Sequence, residues 1–223
     1  MKKIIFLSIS AIALFAACTN YYQVFRVQPQ QEMYADSHQL SYQNSNLQIT
    51  YDFWGDEGNM SFKLLNNSTQ TMHIYLDECF LIKNGYAMDF QQLDVKAGKE
   101  PFACGVVSIP PKTFRYFNCP KIQSETLEFL FCDGEMTPDR TEIRAKEFNQ
   151  ELSPLNFGVR MTYSLGQNTE KMMASNDFYV AEIINYHKVN FEQCHYDTLR
   201  ICNEIELIPI QDVRSANKFL IEY

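Results

Sequence analysis

The run "CHYD" places Cys194, His195 and Asp197 within four positions, with His187 upstream. A thiol, an imidazole and a carboxylate are the residue types of a nucleophile, its base and the group that orients the base. The spacing argues against that use. Neighbours in an extended segment point to opposite faces, so Cys194 and His195 diverge if the segment is a strand. The other histidines, His38 and His73, make no His-x-x-x-His pair with these or with each other. No G-x-S-x-G, zincin or phosphate-cradling glycine motif occurs, and the chain reads as non-enzymatic, with no cofactor. A hydrolase site assembled from residues distant in sequence is the least favoured reading.

A second group of chemical side chains lies in "DFWGDEGN", which offers Asp52, Asp56, Glu57 and Asn59. Calcium takes several hard oxygens, but the glycines do not fall where an EF-hand needs them. The preferred reading is a solvated hairpin turn. Trp54, the only tryptophan, sits beside it. Such a ring either caps a core or stacks on a ligand, so Trp54, Asp56 and Glu57 are weak candidates for ligand contact.

Six cysteines follow Cys18: Cys79, Cys104, Cys119, Cys132, Cys194 and Cys202. With no C-x-x-C pair, zinc and thioredoxin-like chemistry are disfavoured. Cys194 and Cys202 are close enough in sequence to staple a loop by a disulfide.

Cys18 itself ends a different pattern. "MKK" is a positive start, "IIFLSISAIALFAA" is a fourteen-residue apolar run, and two alanines precede the cysteine. That is the layout of a secretory signal, and it is short for a spanning helix. "LFAAC" resembles the lipobox of bacterial lipoproteins. The resemblance implies a signal peptide over 1–17 and a lipid on Cys18. Buried acyl chains each add about 0.8 kcal/mol per methylene, so several together hold a protein on a bilayer. Thr19 and Asn20 follow, not Asp. By resemblance to the lipoprotein sorting rule, this points away from the inner membrane. No acidic export run follows either, so the expected place is the outer membrane, facing the periplasm.

Elements must position all of these residues, and the pattern after Cys18 is strand-like. Aromatics make up 14% of the chain, and they favour pleated surfaces. "LQITYDF" and "NMSFKLL" alternate apolar and polar side chains around the "WGDEG" loop. "CFLIK" and "YAMDF" flank Asn84-Gly85, a strong hairpin signal. "TMHIYL", "VSIPPKTFRYF", "TLEFLF", "FGVRMTYSL", "NDFYVAEII", "NEIELIPI" and "KFLIEY" continue the habit. Short helices are expected only around 145–152 and 211–217. The fold class is therefore all-β: an antiparallel, elaborated β-sandwich over 18–223, with any subdivision near 132–138. The pattern around "LLNNSTQTMHIYL" resembles bacterial immunoglobulin-like domains, which implies an immunoglobulin-like sandwich.

Beyond Cys18 the chain carries 17 basic and 27 acidic residues, a net charge of −10. That excludes a nucleic-acid binder, which needs clustered Lys and Arg to neutralise phosphates.

"YYQVFRV", "YDFWGDEGNMSFKLLNNS", "IYLDECFLIKNGYAMDF", "VRMTYSLG", "NDFYVAEIINY" and "KFLIEY" together resemble a group of uncharacterised Bacteroidota lipoproteins. The resemblance spans nearly all of 18–223 and implies an extracytoplasmic β-rich protein without a transferable catalytic residue. The expected function is a binding or scaffold module for an envelope protein, held to the membrane by Cys18. The alternative is a carbohydrate-binding lipoprotein that uses exposed aromatics around Trp54 on a glycan.

Overall fold

The computed structural model describes residues 21–36, 38–90, 105–127, 135–136, 142–168, 170–187, 197–201, 204–208 and 214–222. Seventeen strands run through them: β1 (Tyr21–Pro29), β2 (Tyr34–Ala35), β3 (Leu40–Gln43), β4 (Leu47–Tyr51), β5 (Phe62–Asn66), β6 (Met72–Tyr75), β7 (Phe80–Lys83), β8 (Tyr86–Asp89), β9 (Val106–Ile109), β10 (Phe114–Phe117), β11 (Glu135–Met136), β12 (Glu142–Glu147), β13 (Asn156–Leu165), β14 (Met172–His187), β15 (Asp197–Ile201), β16 (Glu204–Ile208) and β17 (Lys218–Glu222). Every strand ladder among the described residues is antiparallel. The all-β antiparallel expectation is met. A five-stranded sheet and a ten-stranded sheet share one aromatic core, while β15 and β16 form a separate pair.

The five-stranded sheet runs β10-β5-β4-β3-β2. Its alternation is the one legible in sequence. Leu47, Ile49 and Tyr51 on β4 and Phe62 and Leu64 on β5 point into the core, and the residues between them do not. Register at the β3–β4 turn is fixed by Asn44, whose Oδ1 accepts the backbone N–H groups of Asn46 and Leu47, both at 2.9 Å. This is an Asx turn, the side chain standing in for a backbone carbonyl.

The ten-stranded sheet curls into a half-barrel around the sixteen-residue β14. The register against β1 shifts between Arg26 and Val27, leaving Ala181 as an extra residue. A bulge bends its strand and switches which side chains face inward. Ala174, Asn176, Phe178 and Val180 are buried before it, and Ala181, Ile183 and Asn185 after it. The bend lets β14 pair with β13 in its first half and β12 in its second, with β1 along the opposite edge. β6 and β7 lie in succession along the far edge of β13, separated by a 3-10 turn at Leu76–Glu78. Asn84 and Gly85 make the β7–β8 turn with φ of 46° and 81°. Two left-handed residues match the twist of the flanking strands.

The sheets meet through stacked and edge-on rings. Phe178 lies 5.2 Å from Tyr51 and 5.0 Å from Phe53, and Phe53 lies 5.5 Å from Phe157, centroid to centroid. Such pairs add about 0.5–1.5 kcal/mol each beyond the area they bury. The hydroxyl of Tyr51 is satisfied inside the core by Asn176, whose Nδ2 donates to it at 2.9 Å.

Neither helix expectation is met among the described residues. Glu142–Glu147 is strand β12, paired to β14, and the chain turns at 150–152. Residues 216–217 are a turn, while 211–213 lie outside the described residues. "EIRAKE" carries good helix formers, but a paired edge on a neighbouring strand outweighs a propensity of a few tenths of a kcal/mol per residue. The "TLEFLF" strand is not formed at Thr126 and Leu127; its remaining four residues lie outside. Among the described residues no helix is long and apolar enough to cross a membrane.

Candidate binding face on the five-stranded sheet

Strand pairing aligns five residues in one row across the outer face of the five-stranded sheet. Tyr34 stands opposite Ser41, Ser41 opposite Thr50, Thr50 opposite Lys63, and Lys63 opposite Tyr116. Directly opposed residues share a face. The row is aromatic at both ends and polar between them. Tyr34 is 63% exposed and Tyr116 is 64% exposed. Ser41 donates its hydroxyl to Thr50 Oγ1 at 3.1 Å, which fixes two floor groups.

The neighbouring row runs Gln43, Gln48, Leu65 and Phe114. Phe114, 55% exposed, meets Tyr116 edge to face, with centroids 5.5 Å apart and planes at 80°. The ammonium of Lys63 lies 5.5 Å from the Phe114 ring centroid. An exposed phenylalanine is thus held between a cation and an aromatic neighbour, and it props the tyrosine ring at a fixed tilt.

Two depressions open on this face. One, of about 260 Å³, is bounded by Tyr116, with Thr50, Ser61, Lys63, Asp52 and Asn59 among its lining residues; His38 and Gln39 close it on another side. The other, of about 440 Å³, is bounded by Tyr34, Glu32, Met33, Ser41 and Gln43. Ser41 and Thr50, opposite each other in the row, belong one to each depression.

The acidic loop rims the first depression but is not a free turn. Its backbone is sewn to two other segments. Glu57 N–H donates to Leu220 O at 2.7 Å, and Leu220 N–H donates to Gly55 O at 3.1 Å. On the other side, the Ile122 and Gln123 N–H groups donate to Gly58 O and Glu57 O. Glu57 sits at φ 61° and Gly58 at 74°. A Cβ on Gly58 would lie 2.9 Å from both Ile122 Cδ1 and Phe219 Cγ, so the approach itself requires glycine.

The loop carboxylates are already engaged. Lys121 Nζ lies 2.6 Å from Glu57 and 3.6 Å from Asp56. Its hydrogen bond to Glu57, with the charges of Glu57 and Asp56, holds the Lys121 ammonium above its usual pKa against the opposing effect of desolvation. Arg214 donates to Asp52 Oδ2 at 3.2 Å, and Asp52 Oδ1 accepts the Trp54 N–H at 3.1 Å. Among the described residues, no three His, Cys, Asp or Glu side chains gather at metal-binding distance. Trp54 is half-buried beside the loop and lines neither depression.

Compared with protein-family models, curated proteins and solved structures, the chain matches none.

Cys18, Cys194, His195 and Cys202 lie outside the described residues, and Asp197 opens the β15–β16 hairpin. Cys79 is buried, its thiol donating to Tyr75 O at 3.0 Å, and burial pushes its pKa up to about 12. A thiol so held is a core group, not a nucleophile. Sequence reasoning missed Tyr34, Phe114 and Tyr116. The signal was present in "TFRYF", where Phe114 and Tyr116 share a parity opposite to the buried Phe117.

Proposed function

We propose that this protein is a non-enzymatic binding module of the cell envelope, anchored by a lipid on Cys18 to the outer membrane and facing the periplasm. Its frame is read as an elaborated immunoglobulin-like sandwich, supported by two antiparallel sheets over one aromatic core. The single observation that carries the binding role is the cross-strand row on a ladder-paired sheet whose two ends, Tyr34 and Tyr116, are exposed. Such a face loses little entropy on ligation, because its backbone is already held in strand ladders, on both sides for β3, β4 and β5 and on one side for the edge strands β2 and β10.

The anchor rests on the lipobox resemblance, and β1 adds a consequence. It begins at Tyr21, three residues after Cys18. A chain extends at most about 3.6 Å per residue, so a lipid there would tether the sheet within about 11 Å of the bilayer surface. The partner is then itself at or near the membrane.

Metabolic labelling with a fatty-acid probe tests the anchor: Cys18→Ala abolishes label, and a labelled variant refutes lipidation. Affinity purification of the native protein after in-cell crosslinking tests the module. Tyr116→Asp should lose the retained material; unchanged recovery would place binding elsewhere.

A further inference from the structure

We infer that the outer face of the five-stranded sheet is a glycan site, on which a neutral linear oligosaccharide lies across the strands between Tyr116 and Tyr34. The inference rests on the reading of this face as the binding surface, and it names the ligand class.

The two tyrosines close the ends of one cross-strand row and are separated by four strand spacings. At about 4.8 Å per spacing the row is about 19 Å long. That is the reach of a short oligosaccharide, longer than a single sugar. Both depressions lie on this line, one against each tyrosine.

The chemistry along the line matches a pyranose chain. A sugar ring presents an apolar C–H face and a rim of hydroxyls that donate and accept. The ends of the row supply exposed phenol rings for the C–H faces. The floor supplies the Ser41 and Thr50 hydroxyls, the Gln39, Gln43 and Asn59 amides and the Asp52 carboxylate for the rim. Hydroxyls and carboxylates retain acceptor capacity after the bonds they already make, such as Asp52 to Arg214. A protein partner of ordinary strength wants an apolar centre with a polar rim. The row from Tyr34 to Tyr116 has the reverse: a polar centre with aromatic ends.

Charge selects a neutral chain. The depression at Tyr116 sets Lys63 against Asp52, and the one at Tyr34 carries Glu32. No cation excess is offered to a uronic or phosphorylated polymer. The near-perpendicular Phe114–Tyr116 pair means that one ring stacks and the other supports. Tyr116 lines the depression, so Phe114 is the positioning residue.

Calorimetric titration of the full-length protein, in a detergent without a sugar headgroup, tests this. The probes are neutral gluco-, manno-, xylo- and galacto-oligosaccharides of graded length. Binding should strengthen with length and saturate near the span of the row. Tyr116→Ala and Tyr34→Ala should each weaken it by at least about tenfold at unchanged melting temperature, as expected for loss of one stacked ring. Trp54→Phe should leave it unchanged. Absence of binding to every probe, or full affinity in the double tyrosine variant, overturns the glycan inference. If the probes fail while a crosslinked protein is still lost from Tyr116→Asp, the binding module stands and the glycan assignment falls.

Discussion

Phe25 and Phe219 lie face to face, with ring centroids 4.6 Å apart and planes 2° from parallel. The contact joins β1 to β17, and β17 in turn holds the acidic loop through Leu220. One stacked pair therefore connects the first and last described strands to the rim of the binding face.

Phe219→Ala should cost about 3–5 kcal/mol, the range for a fully buried ring removed from a core. Urea denaturation measures it. A loss below about 1 kcal/mol would mean that β17 is an appendage and not part of the clasp.

Gly58→Ala tests the same clasp from the loop side. The left-handed φ and the two 2.9 Å approaches to Ile122 and Phe219 both penalise a side chain. About 2–4 kcal/mol of destabilisation is expected. An alanine variant as stable as the parent would contradict the close packing of loop on strand.

Alkaline pH should weaken the fold. Burial raises the Cys79 thiol from 9.0 to about 12 and also pushes the Tyr51 phenol upward. Between the unfolded and folded values, the folded state keeps a proton that the unfolded state has lost. Stability is then fully present below about pH 9 and falls as pH rises toward 12. Cys79→Ala should be less stable at neutral pH but show a shallower alkaline decline. An identical decline in parent and variant, followed by equilibrium unfolding, would remove Cys79 as a source.

Calcium should have no effect on stability. The loop carboxylates face Lys121 and Arg214, which already supply the positive charge. Melting temperatures in chelator and in millimolar calcium should agree within about 1 °C, because a ligand stabilises only by binding the folded state. A rise that grows with calcium concentration would restore the metal reading of Asp56 and Glu57.

What the sequence disclosed, and what it hid, follows from interaction range. The β4–β5 alternation and the Asn84-Gly85 turn are local patterns and were legible. β12 was not, because "EIRAKE" favours helix until the edge of β14 is present. The bulge at Ala181 leaves no periodic trace, since it inverts the alternation within one long strand. The acidic loop was recognised by residue type, but its counter-charges were invisible: Arg214 lies 162 positions from Asp52. The binding face was hidden for the same reason. Tyr34 and Tyr116 become one row only after three intervening strands pair in register.

The most direct test of that face is a photo-crosslink in intact cells. A benzophenone amino acid is placed at Tyr116 and, in a second strain, at Met173, which is 65% exposed on the ten-stranded sheet. A crosslinked species from position 116 and none from 173 is the predicted result. No product at 116, or the same products from both positions, would contradict a binding role for the five-stranded sheet.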